Sequence, residues 1–317
     1  MRKIWVLLVV VLLAKEAHAQ QAPQYTQYIF NELIINPAYA GSKEILNINA
    51  THRSQWVGME GAPTTQTLSL DGSSRSGLVG YGFNAIKDEL GAQRQLGVQG
   101  NVAVRLQVGE ASKLALGFAA GASQYTLDGT VLRPGSNIPD PSVPQGRASE
   151  VLPDARAGVF FNTERFYAGV SVANLINFKQ EDLEVTTPRR HFFLSSGYVF
   201  NVSPFVILKP SFLVKEDFNS PTSLDLNTFV LLGERIWLGG SYRTAVQVHN
   251  KFPDEYSLDK RNAWAAIAQL YVTPKLRLGY SYDVSLNALK SHPSHEISIG
   301  YSFFKKQDAR MLTPRYF

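Results

Sequence analysis

The chain has 317 residues, of which 44% are hydrophobic and 18% are charged, and it contains no cysteine. A chain without cysteine forms neither disulfides nor thiolate metal sites. Its formal net charge of +5 is too weak to indicate a nucleic-acid-binding surface, so we expect no nucleic-acid partner.

Residues 1–19 have the pattern of a cleaved secretory signal peptide. Arg2 and Lys3 precede an apolar run, and Ala17 and Ala19 provide the small residues of a cleavage site. The apolar run is too short to span a bilayer, and there is no cysteine to carry a lipid. We therefore expect an exported, unlipidated chain that is cut after Ala19.

The stretch FNELIINPAYAGSKE breaks an apolar run abruptly at Asn36 and Pro37. Proline has no backbone N–H donor and biases the residue before it towards extended geometry. We therefore predict a short amphipathic helix over QYTQYIFNELI. It ends in a turn at Asn36 and Pro37 that leads into the first strand.

From Ile45 onward the chain alternates between apolar and polar residues. In RQLGVQGNVAVRLQVG, for example, Leu96 and Val98 are apolar whereas Gln99 and Asn101 are polar. A period of two indicates strands with one apolar and one polar face. We predict fourteen strands, near residues 45–56, 64–71, 77–87, 93–108, 113–126, 152–161, 165–174, 190–200, 205–215, 223–232, 236–247, 262–272, 275–285 and 295–304.

The connections between the predicted strands alternate in length. Every second one is short, such as NTE, GER and TP, whereas the others are moderate or long and include residues 127–151, 175–189 and 248–261. This alternation and an even strand number are typical of outer-membrane barrels. We predict an all-β, antiparallel, 14-stranded transmembrane outer-membrane β-barrel over residues 43–305, rather than a soluble sandwich, with both termini periplasmic.

The predicted barrel offers a place for residues 20–42. Glu32, Asn36 and Tyr39 need polar partners, while the apolar side chain of Ile29 is more stable when it is buried away from water. We predict that this N-terminal segment lies in the lumen or beneath it, as a hatch that plugs the barrel.

Four motifs along the chain match a known pattern: QYIFNELIINPAYAGSKE, HRSQWVGMEGAPTTQTLSL, LGYSYDVS followed by HEISIGY, and a tail ending in TPRYF. In these motifs the chain resembles the PorP/SprF family of type IX secretion system outer-membrane proteins. The resemblance extends over nearly all of the chain after the predicted signal peptide. The first two motifs are its most specific parts.

The resemblance implies a non-enzymatic outer-membrane component of that secretion system, with no catalytic residue, cofactor or metal. Such a protein would support the secretion or surface anchoring of a large exported protein, such as a gliding adhesin. The implied partners are outer-membrane lipid, the C-terminal domain of the secreted protein and periplasmic ring components of the machine.

The residues of the two most specific motifs mark the family and are candidates for partner contact. They are Asn36, Pro37, Ala38, Tyr39, Ala40, Gly41, Arg53, Gln55, Trp56, Gly61, Ala62 and Pro63. For Arg53 and Trp56 two interpretations are open. They could anchor the first outer loop for a partner, or they could be an ordinary lumen arginine and interface tryptophan.

A second set of candidates consists of charged residues on predicted inward faces. They could select what passes or bind a plug, or they could pair with one another to satisfy buried charge, which we favour. They are Arg105, Arg156, Arg243, Arg277, Asp225, Asp283 and Glu296.

Three other features could bear on function. His292 and His295 have H-x-x-H spacing, but Pro293 prevents a regular helix and no third ligand is near, so we predict no metal site. The proline-rich connection 127–151 is either a partner-binding loop or a cap over the barrel mouth. Residues 306–317 are predicted to be a periplasmic C-terminal extension.

Two other functions are compatible with a barrel. One is an outer-membrane transporter of small hydrophobic molecules, because a 14-stranded barrel with an N-terminal hatch also resembles the fatty-acid channel family. Such a transporter should have an apolar pocket beside the hatch, whereas the inward faces of this chain carry Arg, Asp, Gln and Asn. The other is a general diffusion porin, which should form an open channel.

Overall fold

The computed structural model describes residues 23–132, 144, 146–176, 189–248 and 262–303. Within these residues, fifteen β-segments form one antiparallel sheet. His191–Tyr198 and Phe200–Ser203 both pair with Val206–Glu216, so they are one strand interrupted at Val199. The sheet closes because Leu46–Ser54 pairs with Ser294–Phe303. The predicted closed, 14-stranded antiparallel barrel is confirmed.

The barrel strands are numbered in chain order. They are β1 Leu46–Ser54, β2 Thr64–Ser73, β3 Val79–Leu90, β4 Gln93–Gly109, β5 Ser112–Asp128, β6 Arg147–Asn162, β7 Phe166–Ala173, β8 His191–Tyr198 with Phe200–Ser203, β9 Val206–Glu216, β10 Thr222–Leu232, β11 Ile236–Val246, β12 Ala263–Tyr271, β13 Leu276–Ser285 and β14 Ser294–Phe303.

The alternating sequence produces the two faces of the wall. In β4, Val98 and Val102 are exposed on the outside, while Gln99, Asn101 and Arg105 are buried on the inside. Successive side chains of a strand point to opposite faces, so the exposed apolar set faces lipid. No helix among the described residues is long and apolar enough to cross a membrane.

The inner wall is less polar than the sequence suggested. Strands β8 to β12 contribute buried apolar side chains to one cluster, including Phe193, Leu213, Phe229, Trp237 and Ile267. The reason is that apolar side chains between residues 23 and 44 pack against this part of the wall and exclude water from it. A second, smaller apolar cluster on β4 to β7 includes Ala103, Ala115, Phe160 and Tyr167.

The connections sort to the two ends of the barrel, which we name the long-connection end and the short-turn end. One connection at the long-connection end differs from the prediction. The strands β3 and β4 extend to Leu90 and Gln93, so only Gly91 and Ala92 join them. Gly91 has φ +56°, a left-handed conformation that glycine adopts at no steric cost.

A second boundary also differs from the prediction. Residues 147–151, expected in the long connection 127–151, begin β6, and Pro153 lies within this strand. Along this stretch β6 pairs with β5, whereas its described pairing with β7 begins at Ala157. A proline lacks a donor for the ladder and is tolerated where a strand pairs on one side.

Residues 23–44, which we call the N-terminal segment, run through the barrel. They form three 3-10 turns, Tyr28–Phe30, Glu32–Ile34 and Pro37–Tyr39, instead of the predicted amphipathic helix. An amphipathic helix needs a solvated face, but this segment is buried on all sides, and Asn31 at φ −150° and Pro37 divide it into short turns.

The N-terminal segment starts at the long-connection end and finishes at the short-turn end. Thr26 bonds to Glu296 and Asp283 near the long-connection end of β14 and β13. Ala40 and Gly41 meet Gly80 near the short turn between β2 and β3. The predicted periplasmic position of the amino terminus gains no support from this path. The predicted signal peptide and C-terminal extension lie outside the described residues.

Candidate functional site

Arg53 is the centre of a clamp at the long-connection end of the lumen. Its Nη1 atom lies 2.7 Å from Asp283 Oδ2 and 3.3 Å from Glu296 Oε2, and all three side chains are buried. The Glu296 carboxylate also accepts the backbone N–H groups of Thr26 at 2.9 Å and Gln27 at 3.0 Å. Arg53 therefore fixes the start of the N-terminal segment rather than the first outer loop.

Asn36 forms the second clamp, deeper in the barrel. Its Oδ1 atom accepts the Ala38 backbone N–H at 3.0 Å, which caps the turn that begins at Pro37. Its Nδ2 atom donates to the Val159 carbonyl at 3.1 Å. A Cβ atom on Gly158 would overlap Asn36 Oδ1. The side chain thus fits a notch in β6 that only glycine leaves open.

Glycines in other strands make room for the same segment. A Cβ atom on Gly80 would overlap the Ala40 carbonyl, and one on Gly117 would overlap the Ala38 backbone. Glycine inside a strand often marks the close approach of another backbone. These strand glycines were a signal in the sequence that the prediction did not use.

The remaining motif residues of the N-terminal segment are buried beside this notch. Pro37, Ala38 and Tyr39 form the last 3-10 turn, and the Tyr39 ring meets Phe160 edge-on with 5.4 Å between centroids. Ala40 and Gly41 follow, with Gly41 at φ +70° as the chain turns into the wall. The structure places all six residues, Asn36 to Gly41, against the inner wall.

The predicted lumen charges are buried or partly buried, and those described below lie next to opposite charges or polar groups. Asp225 lies 2.9 Å from Arg243 Nε and 3.1 Å from Lys215 Nζ. Lys215 also donates to the Gln24 side chain at 3.1 Å. Burying a charge without a partner is costly, so this group is stable only as a set.

Other charges of the set contact the N-terminal segment or the wall. Arg156 donates to the Ile34 carbonyl at 3.0 Å and lies 3.3 Å from Asp154. Arg277 donates to the Asn49 side chain at 2.6 Å. Arginine is suited to such sites because its five donors can serve a carboxylate and a carbonyl together.

Glu32 is a buried acid of the N-terminal segment that the sequence patterns did not single out as a site. Its side chain is 0% exposed, and Ser195 Oγ donates to its carboxylate at 3.4 Å. Burial raises the pKa of Glu32 above its ordinary value, although the charge of nearby Lys209 works in the opposite direction. The segment therefore carries a carboxyl group whose ionisation opposes its burial.

Residues 55–63 form a compact loop at the mouth of the barrel. Gln55 donates its backbone N–H to the Pro63 carbonyl at 2.9 Å, and Trp56 donates to Ser294 Oγ at 3.1 Å. Trp56 has φ +50°, an unfavourable conformation for a bulky residue, and such strain is often found at functional sites. The loop thus fixes the Trp56 ring at the mouth.

The other motif residues of this loop make its outer edge. Gly61 has φ +69°, and its carbonyl accepts the Gly91 backbone N–H at 2.9 Å. Ala62 donates to the Met59 carbonyl at 3.3 Å, and Pro63 leads directly into β2. These bonds tie the motif loop to the β3–β4 turn.

A cavity of about 360 Å³ opens between this loop and the opposite wall, and we call it the mouth cavity. It combines aromatic side chains, charged side chains and amides, and Gln24 of the N-terminal segment contributes to its lining. Ligand pockets generally combine apolar surface with a few polar groups in this way. Its lining includes Arg53, Gln55, Trp56, Phe193, Lys215 and Asn262.

The two histidines with H-x-x-H spacing make separate hydrogen bonds with residues of neighbouring elements. His292 Nδ1 lies 3.1 Å from the Val57 carbonyl, and His295 Nδ1 lies 2.7 Å from the Tyr280 hydroxyl. Among the residues that the structure describes, no cluster of three His, Cys, Asp or Glu could hold a metal ion.

Comparison with known proteins places this chain in a family. The profile of the type IX secretion system membrane protein family PorP/SprF matches residues 17–301, which include both clamps and the motif loop. The chain belongs to the PorP/SprF family. It is therefore a type IX secretion system component of the outer membrane. No curated protein sequence matches this PorP/SprF chain.

Solved structures similar to this PorP/SprF protein are outer-membrane barrels. The CymD monoaromatic hydrocarbon channel has a TM-score of 0.54 at 13% identity, covering 89% of this chain and 94% of that one. A Pseudomonas aeruginosa FadL homologue has a TM-score of 0.47 at 10% identity, covering 89% and 95%. Acinetobacter baumannii Omp33 has 0.47 at 8%, covering 82% and 98%. At these identities only the fold is comparable.

Proposed function

We propose that this protein is a non-enzymatic receiver for a large exported protein, whose C-terminal domain it binds at the long-connection end of the barrel. Secretion or surface anchoring of that protein, such as a gliding adhesin, depends on this contact. In the proposal the long-connection end faces the cell exterior, and the short-turn end faces the periplasmic ring of the secretion machine.

The observation that carries the proposal is the position of the family's two most specific motifs. One motif fixes the N-terminal segment inside the barrel, and the other forms the loop over the mouth cavity through Gln55 and Trp56. Val57 and Met59 of this loop are 45% and 36% exposed. A family that serves exported partners is expected to mark its partner-binding surface in this way.

A photo-crosslinking residue in place of Met59 tests the proposal in living cells. We expect it to capture one large exported protein through its C-terminal domain. The control position is Val170, which is 54% exposed on the lipid-facing side of β7 and should capture no such protein. Equal capture at both positions, or none at Met59, would contradict the proposal.

Transport of small hydrophobic molecules is the second candidate. The apolar inner cluster and a cavity of about 100 Å³ beside Tyr25, Ile34 and Phe193 favour it. This cavity is small, because ligand sites usually have about 300–1,000 Å³. Uptake of a hydrophobic molecule that is lost when the gene is deleted, with secretion intact, would favour transport over partner binding.

A further inference from the structure

The lipid-facing wall carries a groove of about 550 Å³ over β1 to β4 and β14. Ala50 pairs with Leu68 across the sheet, and Leu68 pairs with Ala85. The two small alanine side chains leave space between larger neighbours. The apolar side chains that border this space are 45–58% exposed, and they are Leu68, Leu96, Ile297 and Ile299.

The groove ends in polar side chains towards the long-connection end of the barrel. His52, Gln66 and Lys87 lie opposite one another on β1, β2 and β3 and line this part of the groove. Charged side chains on the lipid face are costly at the bilayer centre and tolerated near the interface. The groove is therefore lined by apolar side chains along its length and by polar side chains at one membrane interface. This distribution matches the acyl chains and the polar headgroup of a lipid.

The charges at the polar end are positive in sum. Lys87 Nζ lies 3.2 Å from Glu89 Oε1, and Arg94 Nε lies 2.6 Å from the same oxygen. Two cations thus share one carboxylate, and all three side chains are 33–53% exposed. Towards the same end of β11 and β12 the outward residues are Tyr242 and Trp264, the aromatic type usual at an interface.

We infer that this groove binds a phosphorylated glycolipid of the lipid A type, with acyl chains over Ala50 and Ala85 on either side of Leu68 and a phosphate at Lys87 and Arg94. Both cations can donate charge-assisted hydrogen bonds to phosphate oxygens. The inference depends on the proposed function in one respect, the orientation of the barrel. The groove lies in the outer leaflet when the long-connection end faces outward. It is separate from the mouth cavity and needs no exported partner.

Native mass spectrometry of the purified full-length protein tests the inference with lipid A as the probe. Dephosphorylated lipid A and phosphatidylethanolamine are the comparison lipids, and inorganic phosphate is the competitor. We expect lipid A to be retained about tenfold better than its dephosphorylated form, because a hydrogen bond to a charged group is worth about one factor of ten. Inorganic phosphate alone should bind poorly, since it lacks the acyl chain.

Three test variants and one control variant locate the site. Ala85→Phe should fill the groove and reduce retention, whereas Ala268→Phe, which changes an exposed alanine on β12, should not. Lys87→Gln should weaken retention about tenfold. Glu89→Gln should strengthen it, because removing the carboxylate frees both cations. Heat-modified gel mobility verifies that each variant is folded.

The outcomes separate this inference from the proposed function. Equal retention of the two lipid A forms, an unchanged Ala85→Phe variant, or weaker binding by Glu89→Gln would each overturn the inference. Capture of a protein instead of lipid by a photo-crosslinker at Gln66 would also overturn it. None of these results depends on capture of the exported protein at Met59.

Discussion

At the scale of single residues, Arg53 is the group on which two buried carboxylates depend. We predict that Arg53→Met destabilises the barrel by about 3–5 kcal/mol, because Asp283 and Glu296 lose their shared cation while buried. Urea unfolding of the barrel in detergent measures this change. Arg147→Met is the control, since Arg147 pairs with Asp128 at 2.7 Å but is 68% exposed, and it should have no measurable effect.

An Arg53→Met barrel as stable as the wild type would contradict this account of the clamp. It would mean that water or another cation compensates Asp283 and Glu296 when the guanidinium is removed.

A second residue-scale prediction concerns the notch in β6. Gly158→Ala should destabilise the docking of the N-terminal segment by about 1–3 kcal/mol, because the added methyl overlaps Asn36 Oδ1. Faster proteolysis of the segment is the measurement. Gly100→Ala is the matched control, because a Cβ atom there meets only Ala120 O at 4.0 Å. Similar proteolysis of both variants would refute the notch.

Glu32 gives a third residue-scale prediction, on pH. Its folded-state pKa is raised above the ordinary 4.5, so the folded form keeps a proton that the unfolded chain releases. The contribution of Glu32 to stability should therefore be full below pH 4.5 and be lost as pH rises through the folded-state pKa. Glu32→Gln should reduce the fall in stability with rising pH, as measured by urea unfolding across pH, whereas other buried carboxyl groups such as Asp71 keep their share of it. If Glu32→Gln keeps the wild-type slope of stability against pH, another group causes that slope.

At the scale of elements, the N-terminal segment is the part that distinguishes this barrel from an empty cylinder. Asn31 Nδ2 donates to Ser69 Oγ of β2 at 2.7 Å. The double variant Asn31→Cys with Ser69→Cys should form a disulfide on oxidation, because the side chains meet and the chain has no other cysteine. Altered mobility on a non-reducing gel detects it.

The control for this crosslink is Asn31→Cys with Ser302→Cys. Ser302 donates to Asn47 Oδ1 near the short-turn end, and its strand β14 is separated by β1 from β2, which carries Ser69. Crosslinking of the control pair as efficient as that of the test pair would indicate a segment that moves freely in the lumen.

At the scale of the whole molecule, the prediction that the N-terminal segment plugs the barrel concerns conductance. We predict that the intact protein is closed in planar bilayers and that deletion of residues 20–40 raises single-channel conductance. The physical reason is that the segment is buried against inner side chains from several strands, including Ser69, Ser171 and Asn227. A deletion variant that folds and stays closed would refute the plug, whereas an open intact protein would favour a diffusion porin.

The class of fold and the family could both be predicted from the order of the amino acids. Alternation with period two and the unequal connections indicated fourteen strands and a closed sheet, because each side of a barrel wall meets a different medium. The motifs around Asn36 and Arg53 indicated the PorP/SprF family, which the family profile confirmed. These features are local in the chain, so they are visible without knowing which strands are neighbours.

The contacts of those motif residues emerged only from the folded barrel. Arg53 meets Glu296 across 243 positions of sequence, and Asn36 meets Val159 across 123. Contacts this distant depend on barrel closure and on the path of the N-terminal segment, and no local pattern encodes them. For the same reason the apolar cluster around Phe229 was missed: whether an inward side chain meets water or another chain segment depends on what fills the lumen.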